Sequence, residues 1–385
     1  MKRVSVQDFG ALGDGIHDDY AAFQQTLDSG ADTVTVPMGI YPISETLRVP
    51  SGIRIEADRC AKIVLRSPRR MRRGEFLLSN ADPENGNRDI ALIGGIWDGS
   101  NTAPEHAKPD LFDENGYSGA LLNFVGVENL LLQDLVLANT VTYYVRMARV
   151  HDFVIENVDF VSDVPGWNQD GIHFGGDVKH GTVRNIRALS DGQTSDDMIA
   201  FNADDCMTRV ENRDLVRDGI EDITVENVFA RQCHSIFRML SVDAPIRNIR
   251  IRNVYAGYRG FGINADAARY CRTPLFTEED YPKGCGRLEN IVIENFTCIP
   301  SAGNVGNWNG ENVAGAAIKL ESMADGVEIR NFRIIAGALA EMPPALDAKN
   351  LVGQKILSDG EEYLLREKTD TLKIENFTHL WLEKA

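Results

Sequence analysis

Three short segments of the sequence place an ionisable residue two positions before an isoleucine. If these segments stack as neighbouring coils of a parallel sheet, the three ionisable residues form one column with a spacing of about 4.8 Å. Groups at that spacing can act on a single substrate bond, so the pattern predicts an enzyme. The segments are Asp170-Gly171-Ile172-His173-Phe174, Asp197-Met198-Ile199-Ala200-Phe201 and His234-Ser235-Ile236-Phe237-Arg238.

Cleavage of a glycosidic bond is the reaction that such carboxylates suit best. One carboxylic acid protonates the leaving oxygen, and one carboxylate activates water or attacks directly. Like charges packed together cannot all stay ionised cheaply, so one proton is retained among Asp170, Asp196 and Asp197. We therefore predict these three as catalytic residues that titrate as a group. The alternative is that they are turn residues, since Asp-Gly and Asp-Asp are common at strand ends.

Three residues beside the acids are predicted to bind substrate. Trp167 adjoins the first segment and can stack on a sugar face, although a packed turn aromatic fits equally well. His173 either faces the cleft beside Asp170 or packs in the interior. Arg238 suits a bidentate contact with a carboxylate or with sugar hydroxyls, or else an ion pair on the surface.

A repeated strand pattern positions these residues. Apolar and polar residues alternate and then reach an Asn or Asp, which is typical of short β-strands. The spacing between copies, from about 23 to about 45 residues, is typical of a solenoid. It is too irregular for a propeller. The copies include Leu130–Leu135, Phe153–Val158, Gly181–Ile186, Ile223–Val228, Ile249–Val254, Ile291–Phe296, Val327–Phe332 and Leu372–Phe377.

We therefore predict an all-β fold, a right-handed parallel β-helix that forms a single domain over residues 1–385. The recurring Asn predicts an inward ladder of side-chain hydrogen bonds between coils. The segment from Asp18 to Leu27 has apolar residues at helical spacing after an Asp cap. It predicts a short N-terminal helix that covers the open end of the stack, where unpaired strand edges invite aggregation.

The composition restricts the partners. Lys and Arg number 40 against 57 Asp and Glu, a net charge of −17, which argues against a nucleic-acid backbone as partner. No apolar stretch is long enough to span a bilayer, so we expect no membrane partner. The first residues enter folded-looking sequence without an apolar secretory segment, which predicts a cytoplasmic protein, or a secreted one if a leader was removed.

The cysteines give no sign of a metal centre. The six are scattered without metal-ligand spacing, so we expect reduced, mostly buried thiols and neither metal nor cofactor. Cys271 and Cys285 flank one loop and are the pair to test for a disulfide. Asp204 and Asp205 are interpreted as part of a solvated loop.

Four motifs resemble a known group of proteins. The segment Asp8-Phe9-Gly10-Ala11-Leu12-Gly13-Asp14-Gly15 resembles the opening of the pectate-lyase-like β-helix superfamily. The other three resemble, in order, the N-x-D-G, D-D and H-G motifs of polygalacturonases, glycoside hydrolase family 28. They are Asn168-Gln169-Asp170-Gly171, Ser195-Asp196-Asp197 and Cys233-His234-Ser235.

The resemblance implies a role for each matched residue. Asp196 would be the general acid, while Asp170 and Asp197 position the hydrolytic water. This implies inversion of configuration, with acid and base about 6.5–9.5 Å apart. Asn168 joins the substrate-binding set, and His234 would hold the protonation state of the acid or bind the sugar.

The departures from the family pattern leave the sugar open. Ser235 replaces a glycine, and His173 stands where the family usually has a second Asp. The Arg-Ile-Lys motif that grips a uronate is missing near Gly262-Ile263-Asn264. Either Arg238, Arg259 or another base takes over that role, or the sugar is neutral.

The expected function is a polygalacturonase-like hydrolase, inverting and exo-acting, on plant cell-wall-derived oligosaccharides. Two alternatives remain. One is a lyase or epimerase on the same scaffold, which needs a base and often Ca²⁺. The other is a non-catalytic carbohydrate-binding β-helix. The sequence does not specify the linkage or the oligomeric state.

Overall fold

The computed structural model describes residues 2–66, 75–102, 119–166, 168–204, 215–265, 286–301, 314–336 and 343–348, and four further strands between 355 and 381. Their regular secondary structure is nearly all β-strand, with a 3₁₀ turn at Val6–Phe9 and one α-helix, α1, at Tyr20–Leu27. The first strands are β1 Arg3–Ser5, β2 Thr33–Val36, β3 Gly39–Ile43, β4 Leu47–Val49, β5 Ile53–Ala57, β6 Ala61–Leu65, β7 Leu78–Asn80, β8 Asn87–Ile93 and β9 Ile96–Asp98.

Several of the later strands, such as β10 and β15, are longer. Apart from the antiparallel pair β21 and β22, the strands pair in parallel with strands of neighbouring coils. The strands are β10 Leu122–Ala138, β11 Val145–Val161, β12 Ile172–Gly175, β13 Val178–Ala188, β14 Asp197–Asn202, β15 Ile220–Leu240, β16 Ile246–Ala265, β17 Leu288–Pro300, β18 Ile318–Leu320, β19 Ala324–Ala336, β20 Leu346–Ala348, β21 Lys355–Ser358, β22 Glu361–Leu364, β23 Leu372–Glu375 and β24 Thr378–Trp381.

The core is built from the inward residues of successive coils. Because side chains alternate between the two faces of a strand, every second residue of the repeat enters the interior. The parallel register places aliphatic side chains of successive coils directly above one another. Their burial is the main contribution to the stability of the fold. One such column contains Leu132, Ile155, Val183, Val225, Ile251, Ile293 and Ile329, all buried.

The recurring Asn forms the predicted ladder, but on the outside of the stack. Asn185 donates to Asn157 at 2.8 Å, and Asn227 donates to Asn185 at 2.9 Å. The series continues through Asn253, Asn295 and Asn331. These side chains are exposed, so the inward orientation was wrong. Each residue has a positive φ, 57° at Asn157 for example, and Asn tolerates this left-handed conformation at a bend.

A second ladder runs beside the first and was not predicted. All its members have positive φ, and from Asp152 onward each lies five positions before a first-ladder residue. Asn129 donates to Asp89 at 2.7 Å, and Asn290 donates to Asn248 at 2.8 Å. The column mixes residue types, which hid it in the sequence. Its members are Asp89, Asn129, Asp152, His180, Asp222, Asn248 and Asn290.

The residue before each first-ladder Asn forms a column of alternating charge. Glu156 pairs with Arg184, and Glu226 pairs with Arg252 at 2.5 Å. Each exposed pair contributes little alone, but opposite charges face each other at every step. In register order the column is Glu156, Arg184, Glu226, Arg252, Glu294 and Arg330.

The N-terminal helix is present but is not capped as predicted. Phe23 and Leu27 of α1 pack into the core. Asp19 occupies the N-cap position without a side-chain capping bond. Its carboxylate instead accepts from the backbone N–H groups of Leu12 at 2.7 Å and Gly13 at 3.1 Å. Asp19 therefore fixes the loop ahead of the helix.

Three cysteines fall within the described residues and are free thiols. Cys233 and Cys298 are buried, while Cys60 is exposed. Burial raises the pKa of the Cys233 and Cys298 thiols, so both stay protonated. Cys271 and Cys285 lie outside the described residues.

Among the described residues, no helix has the length and apolarity to cross a membrane.

The first ladder predicts a measurable stability effect. Asn227→Ala is expected to lower the free energy of unfolding by about 2 kcal/mol, because a left-handed alanine is strained and the ladder hydrogen bonds on both sides are lost. Asn227→Gly should lose only about 1 kcal/mol, since glycine adopts a positive φ freely. Chemical denaturation compares the two. Equal losses would contradict a contribution from backbone conformation.

Candidate active site

The predicted acids lie on consecutive coils, but the register differs by one residue from the predicted alignment. Ile172 is opposite Ile199 as expected. Ile199 is opposite Phe237 rather than Ile236, and Asp197 is opposite Ser235. The pairing of β15 with the next strand, β16, is irregular in the same stretch, between Ala230 and Ser235. His234 therefore lies beside Asp196, not in one column with Asp170 and Asp197.

Asp170 is held by two hydrogen-bond donors. Its Oδ2 is 2.6 Å from His173 Nδ1, and its Oδ1 accepts from the Asp197 backbone N–H at 3.1 Å. The His173 ring stacks on Tyr143, with centroids 4.0 Å apart and planes 15° apart. Tyr143 and Tyr144 are both buried. Since its own ring is held by this stacking, His173 orients the Asp170 carboxylate through the hydrogen bond.

Asp196, Asp197 and His234 form a compact cluster. One ligand atom from each lies within 4.8 Å of the others, and His234 Nδ1 is 3.4 Å from Asp196 Oδ1. Asp196 is 9% exposed and Asp197 only 2%, so Asp196 is the more accessible acid. The Asp196 and Asp197 carboxylates are closer together than the roughly 6.5–9.5 Å expected between the acid and the base of an inverting enzyme. If Asp196 is the acid, the base at that spacing is therefore Asp170 and not Asp197.

The surroundings of Asp197 favour its protonated form. Burial, and then the charges of Asp196 and Asp170, raise the pKa of Asp197 well above its usual value. Arg238, at 3.9 Å from Asp197, and a hydrogen bond with Ser235 act in the opposite direction. The predicted sharing of a proton among three acids thus has a physical cause in their burial and mutual repulsion.

A column of basic and amide side chains flanks the acids. His173 is opposite Arg146 in the preceding coil, and Arg238 is opposite Asn264 in the following one. Asn264 is in turn opposite Lys319. Arg146 and Lys319 are buried, and both were missed in the sequence. The signal for Lys319 was present, since Ile318-Lys319 repeats the Phe237-Arg238 pattern one coil beyond the expected Arg-Ile-Lys motif.

The remaining predicted residues have mixed outcomes. Asn168 is buried in the turn before Asp170, with a φ of 51°. Trp167 lies outside the described residues, as does Asp205. Asp204 is not solvated: it is buried and accepts backbone N–H groups from Val242, Asp243 and Ala244 at 2.6–2.8 Å.

Buried amides join the two loops that carry the acids. Gln169 Oε1 accepts from Gln193 Nε2 and from the Ser195 hydroxyl, both at 2.9 Å. Gln193 Oε1 in turn accepts from the Tyr144 hydroxyl at 3.0 Å. Such networks fix side chains that carry chemistry. Gln169 lies inside the first motif, but nothing in the sequence distinguished it from a spacer.

The cluster also offers ligand atoms to a metal ion. Two carboxylates and one imidazole supply few of the six to eight oxygens that Ca²⁺ takes. The donor set therefore fits calcium poorly and suits proton transfer better. Gly260 makes room for the imidazole, because a Cβ at that position would lie 2.6 Å from His234 Nε2.

The N-terminal region is similar to known sequences. Residues 3–98 match the family model described as rhamnogalacturonase A/epimerase, pectate lyase-like. Over 98 residues the chain is 35% identical to the preneck appendage protein of Bacillus phage PZA. The match covers 26% of this chain and 11% of that protein, so the chain spans only a small part of that relative's length.

Solved structures with a similar fold include both an enzyme and an adhesin. The family 28 exopolygalacturonase of Yersinia enterocolitica aligns with a TM-score of 0.57 at 15% identity, covering 98% of this chain and 78% of that one. PfbA, a surface adhesin of Streptococcus pneumoniae, aligns with a TM-score of 0.65 at 17% identity, covering 100% and 93%. At these identities the likeness is one of fold alone.

Proposed function

We propose that this protein is a glycoside hydrolase, polygalacturonase-like and inverting, built on a right-handed parallel β-helix. The observation that carries the proposal is the convergence of Asp170, Asp196 and Asp197 with His234 on three consecutive coils. Paired carboxylates in distinct environments are what glycosidic cleavage requires. The match of residues 3–98 to a pectate lyase-like family model is consistent with this scaffold.

In this proposal the surroundings of each acid determine its role in catalysis. Asp170, held by two donors, is the ionised base that activates water. Asp196 is the acid that reaches the glycosidic oxygen, because it is the most exposed of the three. Asp197 holds the proton that the pair shares, and His234 orients Asp196. Asp196 gives the proton to the glycosidic oxygen as the bond between that oxygen and the anomeric carbon breaks. Water attacks the anomeric carbon and gives its own proton to Asp170.

The basic column supports an acidic sugar as the substrate. Arg238 and Lys319 lie on the register position that flanks the acids, and Arg146 extends it on the other side. In a protein with a net charge of −17, such a group of buried and half-buried cations is a local exception. Charge-assisted hydrogen bonds from them suit a uronate carboxylate.

A non-catalytic carbohydrate-binding protein is the second candidate. Two findings favour it: the sequence similarity to a phage appendage protein and the fold similarity to a surface adhesin. Such a protein would retain sugar affinity without turnover. A lyase or epimerase is less supported, because the acid cluster fits Ca²⁺ poorly.

The test is a panel of uronic and neutral oligosaccharides. We expect new reducing ends from a uronic substrate, no ultraviolet-absorbing unsaturated product, and no effect of chelator. Asp196→Asn serves as the control for contaminating hydrolases, and product sizes distinguish exo from endo action. An unsaturated product lost with chelator would indicate the lyase. Saturable binding of an oligosaccharide with no product would indicate the adhesin-like role.

A further inference from the structure

Arg259 of β16 is buried beneath the loop that carries Asp196. It is 1% exposed and lies opposite the irregular stretch of β15 between Cys233 and Ser235. From the sequence, Arg259 was one candidate for the base that binds a substrate carboxylate. Its Nη2 contacts backbone carbonyls, which favours a structural role over contact with substrate.

Three carbonyl oxygens converge on this one nitrogen. Arg259 Nη2 is 3.4 Å from the Gly192 oxygen and 3.3 Å from the oxygens of Thr194 and Ser195. Two N–H groups shared among three acceptors make long bonds. The carbonyl dipoles nevertheless all point their negative ends at the cation. Without it, these buried oxygens would lose the donor that they share, which costs free energy.

The same loop is tied to the catalytic residues. The His234 backbone N–H donates to the Thr194 oxygen at 2.9 Å and to the Asp196 oxygen at 3.2 Å. The Thr194 oxygen therefore joins Arg259 and His234. Asp196 follows Ser195 directly, so a shift of these carbonyls moves the Asp196 carboxylate relative to the imidazole.

We infer that Arg259 is a positioning residue that clamps residues 192–195 and thereby fixes Asp196 against His234. Its effect on turnover rests on the proposed function, whereas its effect on the loop does not. Lysine cannot reproduce the clamp fully, since its ammonium is a compact point charge rather than a planar fork. Methionine fills similar space without charge.

The kinetic test compares Arg259→Met, Arg259→Lys and a matched control. We expect Arg259→Met to lower kcat by about 10²-fold, as small misplacements of catalytic groups do, with KM within about threefold. Arg259→Lys should recover part of kcat. The control is Arg149→Met, which removes another arginine clamp, the bond to the Pro83 oxygen at 2.5 Å. It should leave kcat unchanged even if it lowers the melting temperature.

Hydrogen exchange of the substrate-free protein gives the independent readout. The His234 and Asp197 amides should exchange at least about tenfold faster in Arg259→Met, with no change along the outer ladders. Faster exchange with normal kcat would reject the positioning role, and unchanged exchange would reject the clamp. If Arg259→Met does not fold, Arg259→Lys provides both readouts. If the wild-type protein has no turnover, the proposed function fails while exchange still decides whether Arg259 holds the loop.

Discussion

Asp197→Asn is expected to lower turnover by about 10²–10⁴-fold, the range that general acid–base groups contribute. The amide has the shape of the protonated acid but cannot release a proton to Asp196. The substitution therefore separates two roles. If Asp197 only had to be neutral, Asn would restore activity. If Asp197 holds the proton used in cleavage, activity is lost in a folded protein.

The same variant is expected to change the pH dependence of stability. Since the pKa of Asp197 is raised on folding, the folded protein binds this proton more tightly than the unfolded chain. That stabilisation is complete below the unfolded pKa of about 3.9 and is lost as pH rises through the folded pKa. Melting temperatures measured across pH should show this loss in the wild type and not in Asp197→Asn. Parallel profiles would contradict the raised pKa.

Asp170→Asn is the second substitution with a large expected effect. It removes the proposed base, so turnover should again fall by about 10²–10⁴-fold. The buried hydrogen bonds can survive, because the amide oxygen can accept from the Asp197 N–H while its NH₂ donates to His173. We therefore expect a loss of only about 1–3 kcal/mol in unfolding free energy, measured by denaturation.

Asp204→Asn provides the matched control. Asp204 is also a buried carboxylate held by backbone N–H groups, but it lies beyond the far end of β14. It should lose comparable stability and keep its turnover per folded molecule. His173→Gln should fall between the two, since it weakens the orientation of Asp170 without removing the base. Normal turnover in Asp170→Asn would exclude Asp170 as the base.

The strands and the first ladder were predictable because they repeat. Period-two alternation and a recurring Asn specify strands and bends locally. The direction of the ladder was not predictable in this way, because the same amide can satisfy its hydrogen bonds on either side of a bend. The second ladder had a signal in the constant separation of five residues between Asp152 and Asn157 or between Asn248 and Asn253. His180 and several aspartates obscured it.

The site was predictable in its residues but not in its register. Ile236 and Phe237 are both apolar, so the sequence could not show which of them continues the column of Ile199. The choice depends on how the segments between the strands place β14 against β15, and those segments have no period in the sequence. The roles of Arg259, Gln169 and Tyr143 depend on contacts between distant segments. No local pattern could indicate them.

Because the charges alternate from Glu156 to Arg330, removing or adding an odd number of coils differs in its effect from removing or adding an even number. Loss or duplication of a single coil within this column would bring Glu against Glu or Arg against Arg at the new junction, and like charges directly opposite are destabilising. Loss or duplication of two coils would restore the alternation. We therefore expect homologous chains of different length to differ in this region by even numbers of coils, which a comparison of their sequences can test.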